Sequence, residues 1–167
     1  MTFNGTSDFI DTGVKLYDED KDYEILMEFE EGSDGDSLGT LLHCMYEEKP
    51  WLGATLYHLD GGNLTLVVNL SERKDTIVSD NGVTRLAIAK VGNYYCVKLM
   101  HDGLAEPQLL AEFNMGYAKV DNSLLIGAYQ DANGNKGRFW NGTISQCKVY
   151  VGDLPTEEET NAFLIGE

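Results

Sequence analysis

The stretch SLLIGAYQDANGNKGRFWNGTISQCKVY, Ser123 to Tyr150, decides how this chain is read. Leu124, Leu125 and Ile126 form a strand running into Gly127-Ala128. Asp131 to Asn135 supplies turn chemistry, and Arg138 to Tyr150 returns as further strand. Asn133-Gly134 suits a turn whose two central residues both need positive φ, so the stretch reads as a β-hairpin. Beyond the turn, Trp140, Gly142 and Ile144 share one face by the period of two, whereas Cys147 and Val149 fall on the opposite parity. The apolar phase therefore slips near Ser145-Gln146, where a bulge or bend would let both halves face one core.

The same alternation recurs on either side. Tyr23, Ile25, Met27 and Phe29 face one way and read as core, with Glu24, Leu26, Glu28 and Glu30 on the opposite face of that sheet. Thr40 to Tyr46 is a strand. Gly53 to Leu59 and Asn63 to Leu70 are joined by Asp60-Gly61-Gly62, with Leu64, Leu66, Val68 and Leu70 pointing inward, and Val83 to Lys90 pairs with Tyr94 to His101 over Val91-Gly92-Asn93. Two short strands between Phe3 and Ile10 open the chain, and Leu109 to Phe113 adds another. Arg73 to Asp80 is polar and poorly periodic, and is predicted as an irregular connection with one short strand at Thr76 to Val78. Thr156 and Glu159 form a capping box for a terminal helix over Glu157 to Leu164, and Pro155 stops the strand before it. About twelve short strands with Gly/Asn/Asp turns and one late helix predict an all-β, two-sheet antiparallel sandwich. The lack of alternating helices excludes a doubly wound α/β fold.

The 167 residues fit one domain spanning 1–167, long enough to bury a core without disulfides or metals. Twenty-eight acidic against twelve basic side chains give a net charge of -16, which repels phosphate backbones and anionic lipid, so neither nucleic acid nor membrane is an expected partner. Cys44, Cys96 and Cys147 are odd in number and far apart, and read as separate thiols. The opening Met1-Thr2-Phe3-Asn4-Gly5 lacks a basic region followed by an apolar one, and no stretch approaches a membrane span. The expectation is a chain made in a reducing cytosol without a secretion signal, or a piece of something larger.

GRFWNGTISQCKVYVGDLPTEEE, residues 137–159, resembles the closing segment of concanavalin A-like lectin/glucanase domains of the laminin G-like type, and FNGTSDFIDTG, residues 3–13, resembles their opening segment. The resemblance brackets nearly the whole chain and implies a concanavalin A-like jelly roll, with the face carrying Glu24, Glu28 and Glu30 as the concave, glycan-facing one. Such domains serve as lectins, adhesins, carbohydrate-binding modules and, in related branches, glycanases. The similarity to domains of bacteriophage virion proteins implies a tail, baseplate or head-surface component, made in host cytoplasm, that contacts the host envelope through a cell-surface glycan or other virion proteins. Appendages of that kind are often homo-oligomeric. A structural or protein-interaction domain of a virion is the alternative, and an endo-glycanase the third.

The enzyme reading rests on Glu24-Ile-Leu-Met-Glu28, because the glucanase branch carries catalytic carboxylates four residues apart with an aspartate midway; here the midpoint is Leu26. A retaining pair needs carboxyls about 5 Å apart, whereas residues four apart on a strand have Cα atoms roughly 13 Å apart. No catalytic residue is assigned and the chain is read as non-catalytic. The binding reading rests on aromatic faces that stack on sugar C–H surfaces while planar polar groups bond the hydroxyls. Tyr46, Trp51, Tyr57 and His58 are placed along the edge of the concave sheet with Glu28 beside them. Trp51, after Pro50 in a loop, leads that set, whereas Trp140 reads as core. Tyr129, Asp131 and Arg138 form a second, loop-edge set at the hairpin mouth. No cofactor or metal ligand set is assigned. The acidic loop Tyr17 to Asp22 has calcium-type oxygens, Asp131 to Gly137 reads as a turn, and Ser145-Gln146 stands where relatives carry an acidic residue for structural calcium.

Overall fold

In a computed structural model of the chain, residues 1–16, 21–32, 39–45, 53–59, 63–68, 72–77, 82–114, 123–131 and 133–167 are described. Their strands are β1 (Thr2–Asn4), β2 (Ile10–Asp11), β3 (Tyr23–Glu31), β4 (Thr40–Met45), β5 (Gly53–Leu59), β6 (Asn63–Val68), β7 (Glu72–Ile77), β8 (Thr84–Val91), β9 (Tyr94–His101), β10 (Gln108–Asn114), β11 (Leu125–Ile126), β12 (Tyr129–Gln130), β13 (Lys136–Gly137) and β14 (Asn141–Val151). The helix α1 spans Glu157–Ile165. Of β5, β6 and β7 the backbone alone is described.

The strands form two six-stranded antiparallel sheets, in the orders β1-β14-β3-β8-β9-β10 and β2-β11-β4-β5-β6-β7, plus the small ladder β12-β13. Odd-numbered residues of β3 turn inward as alternation requires: Tyr23, Ile25, Met27 and Phe29 are buried with Leu86, Ile88, Val97 and Leu99 of the same sheet against Leu42, Cys44 and Ile126 of the other. Burial of each large apolar side chain contributes about 1.5–3 kcal/mol, so this shared interior is what holds one sheet to the other. The phase slip in β14 is a bulge. Ile144 pairs with Phe29 and Gln146 with Glu28, which leaves Ser145 unpaired. The extra residue restores parity, so that Ile144 before it and Cys147 and Val149 after it all pack on the same core.

The stretch read as one hairpin does something different. β11 lies in the second sheet and β14 in the first. The hairpin that exists is the two-residue ladder of β12 and β13, and among the described residues of its turn Gly134 has positive φ while Asn133 does not. The Gly134 N–H bonds the Asp131 carbonyl at 3.0 Å and the Asp131 N–H bonds the Asn135 carbonyl at 3.0 Å, so the turn is closed from Asp131 to Asn135 with a left-handed glycine inside it. After β13 the chain crosses between sheets at Trp140, which is buried edge-on against Phe29 at 5.8 Å and 89°. The crossing is tied down by backbone bonds from four directions. The Trp140 N–H bonds the Gly127 carbonyl (2.9 Å), Gly5 N–H the Trp140 carbonyl (3.0 Å), Thr40 N–H the Arg138 carbonyl (2.8 Å) and Gly32 N–H the Asn141 carbonyl (3.1 Å).

Two other expectations shift. β7 is a full six-residue strand, not an irregular connection, at the edge of the second sheet. Charged residues blunt an edge against further pairing, and their lack of apolar period hid the strand. The helix is as predicted: the Thr156 hydroxyl accepts from Glu159 N–H at 3.2 Å and the Glu159 carboxylate accepts from Thr156 N–H at 2.7 Å. Gly166 closes its far end at φ 84, with Glu167 N–H bonded to the Ala162 carbonyl at 3.0 Å. None of the three cysteines is in a disulfide. Among the described residues no helix is long and apolar enough to cross a membrane.

Gly142 is the position that tolerates least. Its φ is 149°, and a Cβ there would sit 2.3 Å from the Glu30 carbonyl and 2.8 Å from the Trp140 indole nitrogen. Gly142→Ala is expected to cost about 3 kcal/mol of stability through overpacking and backbone strain. Gly134→Ala, with open space around it but φ 83°, should cost about 1 kcal/mol. Urea denaturation of the two variants checks the difference.

Candidate functional site

The outer face of the first sheet, expected to be the open glycan face, carries the helix. Leu26 and Ala87 are buried beneath Phe163 and Leu164, with Met100 and Tyr150 alongside. Glu24 is 5% exposed, and its Oε1 accepts a 2.7 Å bond from the Thr160 hydroxyl; burial pushes its carboxyl above the ordinary range, against that bond and the nearby Lys98 charge. Glu28 has a different environment. Ser145 Oγ donates to its Oε1 at 2.5 Å and Arg85 Nε to its Oε2 at 2.7 Å, and the Ser145 bond, then the Arg85 bond and charge, hold this carboxyl low. Beside α1 a groove of about 710 Å³ remains, lined by Glu28, Arg85, Gln146, Lys148, Tyr150 and Phe163 among others. Glu28 therefore does not stand beside Tyr57 and His58: the parity of β3 points it away from the second sheet, where β5 lies.

On the second sheet the loop-edge residues do come together. Tyr129 of β12 packs on His43 of β4 with ring centroids 4.6 Å apart, and the Arg138 guanidinium lies 5.0 Å over the Tyr129 ring. The guanidinium and the imidazole thus both contact the one tyrosine ring. The Gln130 N–H donates to His43 Nδ1 at 3.4 Å, which puts the imidazole proton on Nε2. His43 is 3% exposed, and Nε2 has no hydrogen-bond partner among the described residues. Burial, then the Arg138 and Lys136 charges, lower the imidazole from 6.5 to about 4. It is neutral at neutral pH. Lys136 donates to the Gln130 side-chain oxygen and lies 5.7 Å from the Phe9 ring centre.

Arg138 is the one non-glycine residue with positive φ, 48°, among those described. The Thr40 bond to its carbonyl keeps that conformation, at a cost of about 1 kcal/mol or more. Its side chain is exposed, and no carboxylate among the described residues pairs with it. Asp131 is instead consumed by its own turn. It accepts from Asn133 N–H (2.9 Å), Asn135 N–H (2.8 Å) and the Asn135 side chain (2.9 Å), and these bonds, the Asn135 side chain first, hold its carboxyl low. Asp131 thus shapes the loop that carries Tyr129 and Arg138.

Tyr57 and His58 lie on β5, the strand next to β4, where Tyr57 pairs with Thr40 and Thr65 and His58 with Leu64 along the backbone. Tyr46 and Trp51 lie outside the described residues, as does most of the acidic loop before Asp22. The residue that sequence reasoning missed is His43. Its signal was parity, opposite to Leu42 and Cys44 within an apolar run, which put a polar ring on the outer face of β4.

No protein-family model matches the chain, and no curated protein matches it by sequence. Its fold is nonetheless shared with solved structures. The CBM40 of the Ruminococcus gnavus IT-sialidase superimposes with a TM-score of 0.67 at 16% identity, over 98% of this chain and 94% of that one. The same CBM40 bound to alpha2,3 sialyllactose gives 0.62 at 15% identity, over 86% and 82%. Domains LG4-5 of the mouse laminin alpha1 chain give 0.61 at 20% identity, over 92% of this chain and 41% of theirs. A SAP-like pentraxin from Limulus polyphemus gives 0.61 at 15% identity, over 97% and 80%. The chain has the concanavalin A-like, laminin G-like jelly-roll fold.

Because His43 is held neutral, its contribution to stability is full above about pH 6.5 and is lost as pH falls toward 4, by about 3 kcal/mol in all. Stability measured from pH 7 to pH 4 should show this slope. A His43→Gln variant should flatten it, whatever its stability at pH 7.

Proposed function

We propose that this chain is a non-catalytic glycan-binding module whose sugar contacts lie along the His43–Tyr129–Arg138 edge of the second sheet. The observation that carries the reading is the exposed Arg138 guanidinium, which stands over an aromatic ring without a carboxylate partner among the described residues of a chain with 28 acidic side chains. A planar guanidinium beside an aromatic face matches a sugar that bears a carboxylate: the fork bonds the anion while the ring meets the C–H face. The fold shared with a CBM40 bound to sialyllactose supports the same class of ligand.

Catalysis is left out of the proposal because Glu24 and Glu28 are each engaged, one under α1 by Thr160 and the other by Arg85 and Ser145. Two carboxyls held apart in this way do not meet across one glycosidic bond. The setting we assign, a phage virion appendage that meets the host envelope, rests on the likeness of the opening and closing segments to such proteins.

A glycan array with wild type, Tyr129→Ala and Glu28→Gln tests the reading. Sialylated or uronate-bearing glycans should give signal with wild type and with Glu28→Gln, and at least tenfold less with Tyr129→Ala. A blank array with wild type would favour a protein-interaction role, and reducing-end release from any glycan would overturn the non-catalytic reading.

A further inference from the structure

A second and smaller cavity, of about 360 Å³, opens where the first turn of α1 meets β8 and β9. It lies on the first sheet and is independent of the glycan edge. Its size falls within the range of small-molecule sites, about 300–1,000 Å³. Ala87 and Ala89 supply small apolar side chains from β8, Cys96 and Tyr94 line it from β9, and Pro155 borders it at the helix entrance. Tyr94 donates its hydroxyl to the Glu112 carboxylate, which holds the ring in place.

One group in this apolar setting is out of keeping with it. Glu24 lines the cavity, is 5% exposed, and uses only Oε1, in its bond from Thr160. Its second oxygen has no hydrogen-bond partner among the described residues. That oxygen is not among the buried unpartnered atoms, so the space of the cavity reaches it and a donor entering there can meet it. The resident cation is shared: Lys98 pairs with the exposed Glu157 at 3.1 Å while its charge also acts on Glu24. Around the cavity, Glu24, Glu157 and Glu112 outnumber the single Lys98, so the local field is negative.

We infer that this cavity takes an alkylammonium group, a primary amine on a short apolar stem, with Glu24 as its counter-ion. The stem lies against Ala87, Ala89 and Cys96, the ammonium donates to the open oxygen of Glu24, and the Tyr94 ring offers a cation–π face. That chemistry has two sources, a lysine side chain of a partner protein or a free polyamine. The groups facing Glu24 are Thr160 and Glu157 from α1, Lys98 and Cys96 from β9, and Tyr150 across from it on β14, while β8 brings the apolar Ala87, Ala89 and Val91 and no titratable group to the lining. Burial raises the Glu24 carboxyl, so it protonates sooner than an exposed glutamate as pH falls, and the cation loses its counter-ion there.

The test is a chemical-shift titration of the whole chain with Nα-acetyl-lysine methylamide and, separately, 1,5-diaminopentane. Saturable shifts are expected at the amides of Ala89, Tyr94 and Thr160. Affinity should fall at least tenfold in Glu24→Gln, which keeps the Thr160 bond, and in Ala89→Phe, which fills the cavity and leaves Glu24 intact. It should be unchanged in Tyr129→Ala and should weaken as pH drops through the carboxyl range. Tighter binding of the blocked lysine points to a protein partner, and tighter binding of the diamine to a polyamine. Absence of saturable shifts with both amines, equal affinity in either cavity variant, or pH-independent binding overturns the inference.

Discussion

The crossing at Trp140 is the constraint on which the rest of the molecule depends. There the chain leaves the small ladder on the second sheet and enters β14, which lies between β1 and β3 in the first. A large indole buried against Phe29 fixes the separation of the sheets at that end, and four backbone bonds from separate segments hold the peptide planes on either side of it. Two consequences follow in opposite directions along the chain. Downstream, Gly142 must be a glycine because the Glu30 carbonyl and the indole leave no room for a Cβ. Upstream, Arg138 is forced into a left-handed conformation, and its side chain is carried out over Tyr129.

The two outer faces have different fates for reasons of local chemistry. On the first sheet Leu26 and Ala87 form an apolar strip among charged neighbours, and α1, stopped at one end by its capping box and at the other by Gly166, lays Phe163 and Leu164 on that strip. Its arrival buries Glu24 and leaves Glu28 to Arg85 and Ser145, so two glutamates of one strand face acquire opposite electrostatics. On the second sheet the ladder of β12 and β13 packs a tyrosine on His43 and leaves a cation above it. An exposed cation on an aromatic ring, in a chain otherwise dominated by carboxylates, draws negative groups locally where the net field would repel them.

Much of this was legible in residues that report their own environment. The parity break at Ser145 could be read because Ile144 on one side and Cys147 and Val149 on the other all need the same interior. Thr156 and Glu159 announced the helix because a capping box is local chemistry. The errors arose where the deciding partner is remote. Turn residues from Asp131 to Asn135 look the same whether the flanking segments pair with each other or part for different sheets, and only the burial of Trp140 decides it. Alternation in β3 gave the correct faces but could not tell solvent from a helix arriving from residue 157 onward. Charged β7 carried no apolar period at all, and His43 was concealed inside an apolar run. Tyr129 and Arg138 were picked out from the loop they occupy, and the structure brings them onto one ring stack.

The central claim is that the crossing stores backbone strain at Arg138 in order to present its guanidinium. The most direct measurement is a paired one on Arg138→Gly: chemical denaturation, and affinity for a sialylated or uronate-bearing glycan. Glycine adopts positive φ without a Cβ penalty, so stability should rise by about 1 kcal/mol while affinity falls at least tenfold. A variant that is destabilised, or that binds as tightly as the wild type, would contradict the account.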